Sequence, residues 1–159
     1  MSGFRIGQGF DVHPFARDRK LILGGVEIPH AAGLAGHSDA DALCHAICDA
    51  LLGAMSLGDM GQHFPDTDPK YRGKSSLFFL ERVSALVAEK GWRIANIDST
   101  IVTEDPILRP HIDPMRRKIA QTLQLEADRV SVKATRPEKL GALGRKEGLL
   151  VLAMALLQK

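Results

Sequence analysis

The fold is decided early in the chain, by Phe4-Arg5-Ile6-Gly7-Gln8-Gly9-Phe10-Asp11-Val12-His13. Apolar residues mixed with glycines predict a β-strand that ends at Pro14, because proline cannot donate to a sheet ladder. Residues two apart on a strand point to the same face and lie roughly 6.5 Å apart along the chain. Asp11 and His13 are therefore expected to face the same way, close enough to bind one ion together.

A helix is predicted next, at about residues 39–55, with Ser38 as its N-cap and acidic residues in its first turn. Its apolar residues recur at helical spacing, and His45 lies on the other side. Asp11, His13 and His45 would leave a fourth zinc position open, as catalytic zinc sites do. Other interpretations remain, since an isolated Asp-x-His is common and first-turn acids also suit the helix dipole alone.

Hydrophobic periodicity and glycine breaks place the other elements. They are a hairpin at 21–29, helices at 75–90 and about 110–123, and strands at 94–102, 130–134 and 149–157. The last strand is an almost unbroken apolar run, so burial on both faces is predicted. We predict a single domain over residues 1–159, an α+β sandwich. It has one mixed four-stranded sheet with helices on one face, a small hairpin and ferredoxin-like βαβ topology.

Composition limits the function classes. The chain has 159 residues, 45% of them hydrophobic and 25% charged, with a formal net charge of +2, which is typical of one soluble domain. The cations form no stripe with interleaved aromatics, so no nucleic-acid partner is predicted. Neither a membrane span nor a targeting segment is predicted, hence a cytoplasmic location. Cys44 and Cys48 are expected to be small buried hydrophobes rather than metal ligands or a disulfide.

Two loops carry further candidate chemistry. Residues 57–69 are rich in Gly, Pro and Asp, and so long a loop in a small domain is usually functional. Its aspartates suit a ribose, a polyol or hydrated Mg²⁺, but they also suit turn initiation. The bulky, rigid pair Phe64-Pro65 favours a shaped lid.

Residues 133–148 combine glycines with Lys133, Arg136 and Arg145, a pattern typical of phosphate binding. The alternatives are a capping box at Thr135-x-x-Glu138 and a solvated basic loop. Metal-assisted chemistry on a phosphorylated, hydroxylated substrate accounts for all three regions together. The residues alone do not separate phosphoryl transfer from hydrolysis.

Several motifs in order closely resemble the 2-C-methyl-D-erythritol 2,4-cyclodiphosphate synthases of the non-mevalonate isoprenoid pathway. They are Arg5-Ile6-Gly7-x-Gly9-Phe10-Asp11-Val12-His13, Gly36-His37-Ser38-Asp39-Ala40-Asp41, Asp49-Ala50-Leu51-Leu52-Gly53-Ala54, Leu57-Gly58-Asp59-Met60-Gly61, Phe64-Pro65-Asp66-Thr67-Asp68-Pro69 and Glu138-Lys139-Leu140-Gly141. The resemblance implies a phosphorus–oxygen lyase. In this reaction the 2-phosphate of a cytidine diphosphate–methylerythritol substrate attacks the β-phosphate, which closes a cyclic diphosphate and releases CMP.

The resemblance also assigns residues. One Zn²⁺ per subunit would be bound by Asp11, His13 and His45, and Glu138 would hold Mg²⁺ or Mn²⁺ with the substrate diphosphate. His37 and Arg136 would be catalytic. A homotrimer is implied, with active sites between subunits. The remaining substrate contacts would be Ser38, Asp59, Gly61, Phe64, Pro65, Asp66, Asp68, Thr103, Pro106, Arg109, Thr135 and Arg145.

The chain departs from the family pattern beside the nucleotide and the diphosphate. Ile107 stands where a lysine is usual, and Ala142 stands where an aromatic is often found. Arg136 replaces a second threonine; it carries charge but is larger. Two alternatives stay open. A phosphohydrolase would need a general base such as Asp49 or His37. A zinc-stabilised trimeric scaffold would need a closed metal site.

Overall fold

The computed structural model describes residues 3–159 and contains one five-stranded sheet and a separate two-stranded hairpin. The strands are β1 (Phe4–Ala16), β2 (Leu21–Leu23), β3 (Val26–Ile28), β4 (Gly33–Leu34), β5 (Arg93–Val102), β6 (Val130–Thr135) and β7 (Gly148–Gln158). The sheet order is β4-β1-β7-β5-β6, and β2 pairs with β3. Only β5 and β6 run parallel; the other neighbours are antiparallel.

Helices cover one face of this sheet, as predicted. They are α1 (Ala42–Ala54), α2 (Met60–His63), α3 (Ser76–Glu89), α4 (Ile112–Leu123) and α5 (Gly141–Gly144), with 3-10 turns at Pro69–Tyr71, Arg109–His111 and Ala127–Arg129. α1 packs on β1 and β7, α3 packs on α1, and α4 packs on β6. α1 is buried on almost every side. Neighbouring elements must therefore provide the hydrogen-bond partners of its polar side chains. Among residues 3–159, no helix is both long enough and apolar enough to span a membrane.

Two glycines of β1 allow α1 to lie directly against the strand. A Cβ atom at Gly9 would overlap the carbonyl oxygen of Ala46, and one at Gly7 would overlap that of Ala50. Glycine is used where a backbone approaches this closely. The contact brings the first turns of α1 beside the second half of β1, which positions His45 near Asp11.

The sequence prediction was correct in class and wrong in detail. The α+β class, the one-sided helical layer and the hairpin are confirmed. The four-stranded sheet is wrong because β4, with only two residues, is too short to show alternation. The ferredoxin-like topology is also wrong. That topology requires a strand between the parallel strands of each βαβ unit, whereas β5 and β6 are direct neighbours and β7 lies between β1 and β5.

Two strand predictions need correction. β1 continues through Pro14 to Ala16, because Phe15 donates to the Glu147 carbonyl and the Pro14 carbonyl accepts from Ala35. β7 is not buried on both faces: its burial alternates, and Leu152 and Met154 are 36% and 46% exposed. An apolar run in a sheet covered on one side leaves half of its side chains on the uncovered side.

The uncovered side is apolar on β1 as well. We call it the outer sheet face, and its exposed members are Phe4, Ile6, Phe10, Val12, Leu152 and Met154. Each is between 36% and 66% exposed in the single chain. On β1 these apolar side chains are interrupted by the exposed Gln8. The outer sheet face is a candidate interaction surface.

The N-cap of α1 is Asp41, so the prediction of Ser38 is wrong. The Asp41 carboxylate is completely buried and accepts from the backbone N–H of Cys44 (3.1 Å), Gly24 (2.9 Å) and Gly25 (2.7 Å). It therefore joins the helix to the hairpin turn. Burial raises the pKa of Asp41 above its ordinary value. The two cysteines are buried and free, as predicted.

Candidate active site

Three side chains from β1 and α1 converge as the spacing predicted. Ligand atoms of Asp11, His13 and His45 all lie within 4.8 Å of one another. His13 Nε2 is 2.9 Å and His45 Nδ1 is 3.2 Å from the same carboxylate oxygen of Asp11. The three side chains are 16–22% exposed, so solvent or a ligand reaches them. We refer to them as the triad.

The outer nitrogen of His13 shows which way its ring is protonated. His13 Nδ1 is 2.5 Å from the carbonyl oxygen of Ala35, and a carbonyl can only accept a hydrogen bond. Nδ1 therefore carries the proton, and in a neutral ring Nε2 directs a lone pair at the Asp11 carboxylate. Such an arrangement needs a positive charge between the two groups. Two imidazoles and one carboxylate, all partly exposed, are a three-ligand set of the kind that binds a catalytic Zn²⁺ ion.

Electrostatics agree with a site that attracts cations. Burial raises the pKa of Asp11, but hydrogen bonds and charge from His13 and His45 outweigh burial and lower that pKa to about 2. The hydrogen bond to Asp11 raises the pKa of His13 against the opposing effect of burial. Protons thus stabilise the metal-free triad, and a metal ion must displace them.

The loop before α1 contains two further predicted residues, of which Ser38 contacts the triad. Ser38 Oγ lies 3.3 Å from His45 Nε2 and accepts from the Ala40 backbone N–H. His37 is adjacent, and its Nε2 atom is buried without a hydrogen-bond partner among the residues that the structure describes. A buried ring nitrogen left without a partner is costly unless a ligand satisfies it.

The substrate loop predicted at Asp59 borders the triad through α1. Asp59 is the N-cap of α2 and accepts from Gln62 N at 3.0 Å. The backbone N–H of Met60 donates to Asp49 at 2.8 Å, and Asp49 lies one helical turn after His45. Burial raises the pKa of Asp49. α2, which also contains Gly61, is therefore fixed relative to the metal ligands.

The aromatic residue of this loop packs toward the triad as well. The Phe64 ring centroid is 4.9 Å from that of Phe79, which is 6.4 Å from that of His45. Pro65 and Asp66 are exposed. Asp68 caps the following 3-10 turn and pairs with Lys70 at 2.6 Å, which is the turn role that the sequence left open.

The remaining predicted residues form a second region at the carboxyl ends of β5 and β6. Thr103 donates its backbone N–H to the Thr135 carbonyl at 3.1 Å and its hydroxyl to the Asp105 carbonyl at 2.6 Å. Glu104 accepts from the Lys139 backbone N–H, which holds the turn after β6. The predicted residues that accompany Thr103 and Thr135 in this region are Pro106, Arg109, Arg136, Glu138 and Arg145.

The two regions lie on different strands of one chain. β7 lies between β1, which carries the triad, and β5, whose carboxyl end carries part of the second region. Glu138 is exposed and does not belong to the metal-ligand group, and Arg145 pairs with Glu147 at 2.6 Å. Two surface cavities, of about 610 Å³ beside Trp92 and about 500 Å³ beside Phe64, do not include the triad either.

Sequence reasoning missed the residues that hold the metal ligands in place. Ser76 Oγ is 2.8 Å from His45 Nε2, and Asp39 binds Ser76. The sequence suggested only a helix start for residues 75–76 and only a first-turn acid for Asp39. No local pattern pairs residues 37 positions apart, so the signal exists only in the folded chain.

Comparison with known proteins gives consistent matches over nearly the whole chain. The model of the YgbB family matches residues 4–158. The chain is 54% identical over 158 residues to the 2-C-methyl-D-erythritol 2,4-cyclodiphosphate synthase of Thermosynechococcus vestitus, which covers 99% of this chain and 98% of that one. It is 58% identical over 153 residues to the synthase of the same name from Azotobacter vinelandii, covering 96% and 98%.

Solved structures agree. A 2C-methyl-D-erythritol-2,4-cyclodiphosphate synthase in its CDP-bound form superposes with a TM-score of 0.89 at 37% identity, covering 96% of this chain and 99% of that one. The bifunctional IspDF of Campylobacter jejuni superposes with a TM-score of 0.96 at 43% identity and covers 99% of this chain. The chain spans 43% of that longer protein.

Proposed function

Because the chain belongs to the YgbB family, we propose that it converts 4-diphosphocytidyl-2-C-methyl-D-erythritol 2-phosphate to 2-C-methyl-D-erythritol 2,4-cyclodiphosphate and CMP. It is an enzyme, a lyase that forms a cyclic diphosphate and releases CMP. The observation that carries the proposal is the convergence of Asp11, His13 and His45 in a chain 54% identical to such a synthase over almost its whole length.

The proposed reaction forms one phosphorus–oxygen bond and breaks another. An oxygen of the 2-phosphate attacks the β-phosphorus, the bond from that phosphorus to the bridging oxygen breaks, and the electron pair leaves with CMP. No water is consumed. A dianion must approach an anionic diphosphate in line, so the site must neutralise charge and fix geometry. Zn²⁺ bound by Asp11, His13 and His45, and Mg²⁺ or Mn²⁺ bound by Glu138, would supply positive charge at the phosphates.

The chain's own residues have matching roles in the proposal. His37 Nε2, which has no hydrogen-bond partner among residues 3–159, would bind a substrate phosphate, and Ser38 would bind the same group. The Asp59 carboxylate accepts hydrogen bonds from the methylerythritol hydroxyls in addition to those from Gln62. Phe64 excludes water from the methylerythritol part of the substrate. Thr135 and Arg145 bind phosphate oxygens, and Arg136 stabilises the charge that develops on the diphosphate.

We propose a homotrimer in which the second region of one subunit, at the ends of β5 and β6, faces the triad of its neighbour. Two observations support it: β7 separates the strands that carry the two regions, and the outer sheet face exposes several apolar side chains. Thr103, Pro106 and Arg109 would then hold the cytidine beside the other subunit's metal. The cytoplasmic location stays a prediction from the sequence.

The reaction can be followed directly by phosphorus NMR. Purified protein incubated with the cytidine diphosphate–methylerythritol 2-phosphate substrate, Zn²⁺ and Mg²⁺ should give CMP and a cyclic diphosphate in equal amounts. Release of inorganic phosphate would instead support the phosphohydrolase, for which the raised pKa of Asp49 offers a base. An unchanged spectrum would rule out both activities.

A histidine variant links the activity to the metal. His45→Ala should lose bound zinc, measured by elemental analysis, and lose turnover while its circular dichroism spectrum stays that of a folded protein. His111→Ala removes a histidine outside the metal-ligand group and is the matched control. Activity that persists in His45→Ala without zinc would refute the metal role assigned to the triad.

A further inference from the structure

The outer nitrogen of His45 lies in a contact that the proposed reaction does not use. His45 Nδ1 faces Asp11, and Nε2 on the opposite edge of the ring is 2.8 Å from Ser76 Oγ. Ser76 is the first residue of α3 and is completely buried. Ser38 Oγ is further from the same nitrogen, at 3.3 Å. Ser76 is therefore the main partner of the metal ligand on its outer side.

Asp39 fixes the direction of that contact. The Ser76 hydroxyl donates to one carboxylate oxygen of Asp39, and the Ser76 backbone N–H donates to the other at 2.9 Å. A carboxylate only accepts, and a hydroxyl has a single proton to give. The Ser76 oxygen thus presents only a lone pair to His45. Nε2 must carry a proton, which leaves Nδ1 unprotonated in the neutral ring and directed at Asp11.

We propose that Ser76 and Asp39 are positioning residues that select the metal-binding tautomer of His45 and hold its ring toward the triad. The inference deepens the proposed function and rests on its metal site. Partners of this kind orient ligand histidines and raise their basicity in metal sites generally. His13 is oriented in the same manner by the Ala35 carbonyl. Both ligand rings are then protonated only on their outer sides.

The pair is itself held by backbone hydrogen bonds. Asp39 N donates to the Lys74 carbonyl at 3.1 Å, and Gly73 N donates to the His37 carbonyl at 2.9 Å. Asp39 also accepts from Asp41 N, next to the start of α1. Residues 37–41 and 73–76 thus fix the carboxylate before any ion binds, so the tautomer is selected in advance.

Two variants separate tautomer selection from simple packing. Ser76→Ala removes the acceptor and leaves the Nε2 proton facing a methyl group. Asp39→Asn keeps the shape of the side chain, but one amide oxygen must replace two carboxylate oxygens that accept from the Ser76 hydroxyl, the Ser76 N–H and the Asp41 N–H. The neutral amide therefore holds the Ser76 hydroxyl less strongly, and the His45 tautomer with its proton on Nδ1, which cannot bind the ion, becomes more populated. Each variant should weaken zinc affinity about 10–100-fold, the range for such partners.

Ser75→Ala is the matched control. Ser75 is the exposed N-cap of α3, and its hydroxyl accepts from Leu77 N at 3.4 Å. Its loss should lower the melting temperature through the helix start while zinc affinity stays within about twofold of the parent, since Ser75 has no contact with His45. Circular dichroism confirms that every variant is folded.

The experiment measures zinc affinity by competition with a chromophoric chelator on the purified oligomer. Nitrogen-15 NMR of the imidazoles in the zinc-free protein then reports which nitrogen of the neutral His45 ring carries hydrogen, and Nε2 is expected in the parent. Weakened binding in Ser76→Ala and Asp39→Asn, with an unchanged Ser75→Ala, is the expected result. Parent-like affinity in Ser76→Ala, or equal weakening in Ser75→Ala, overturns the inference alone. A parent protein without a zinc site overturns the proposed metal site as well.

Discussion

Replacing Asp41 with alanine tests whether one buried carboxylate holds the helix that carries His45. Three backbone N–H groups donate to Asp41: that of Cys44 at the start of α1, and those of Gly24 and Gly25 in the hairpin turn. Alanine leaves all three without their acceptor. Asparagine has almost the same shape and keeps one acceptor oxygen, so the pair of variants isolates the hydrogen bonds from packing.

The magnitude follows from where these donors lie. Loss of an N-cap side chain costs about 0.5–2 kcal/mol, and an unsatisfied buried donor costs about 1–3 kcal/mol. Gly25 N is only partly buried, so water replaces part of its bond. Asp41→Ala should therefore lower the free energy of unfolding by about 3–5 kcal/mol, a large share of the roughly 5–15 kcal/mol typical of domains. Asp41→Asn should lose about 1–3 kcal/mol.

Urea unfolding followed by circular dichroism measures the loss, in EDTA and at one fixed protein concentration, because metal and oligomer both shift apparent stability. For a domain of this size, Asp41→Ala should also lower the melting temperature by roughly 6–20 °C. A loss under about 1 kcal/mol would refute the reasoning. It would mean that the cost of burying the charge, seen in the raised pKa of Asp41, cancels its three hydrogen bonds.

In EDTA the melting temperature should fall as pH rises above 6.5, because the raised pKa of His13 contributes stability fully below that value and loses it as pH passes the folded pKa. It should also fall as pH drops from 3.8 toward 2, where Asp11 gains its proton. Zinc should reverse the first trend, and matching profiles with and without zinc would contradict it. In urea titrations Gly9→Ala should lower the free energy of unfolding by about 1–3 kcal/mol, because the new methyl group pushes α1 away from β1. Gly53→Ala, at an exposed position of the same helix, should raise that free energy by about 0.4–1 kcal/mol. Equal effects of the two variants would argue against the close approach of α1 to β1. Leu152→Asp should turn the proposed trimer into monomers in light scattering, and a parent-like trimer mass in the variant would exclude the outer sheet face as the interface.

Local periodicity predicted most of the fold. The second predicted helix, at 75–90, is found at Ser76–Glu89, and the strand predicted at 94–102 is found at Arg93–Val102. What escaped prediction depends on partners distant in sequence. β4 is a strand only because it pairs with Phe15 and Ala16. The apolar sequence of β7 does not indicate that this strand lies between β1 and β5.

The candidate site divides in the same way. Asp11, His13 and His45 were found from spacing because a strand and the helix packed on it have fixed geometry. Ser76 was missed because its role depends on a contact between α3 and α1 that neither segment encodes. The N-cap was placed at Ser38 because its sequence context looks like a helix start, whereas Asp41 alone reaches both the helix and the hairpin turn.

The central place of β7 has a consequence for how the chain is synthesised. β7 is made after β1 and β5, yet it pairs with both and separates them. Until β7 leaves the ribosome, β1 and β5 have unpaired edges, and the apolar residues that pack beside β7 stay exposed. The sheet can close only after translation has passed residue 158, so folding is late and rich in long-range pairing.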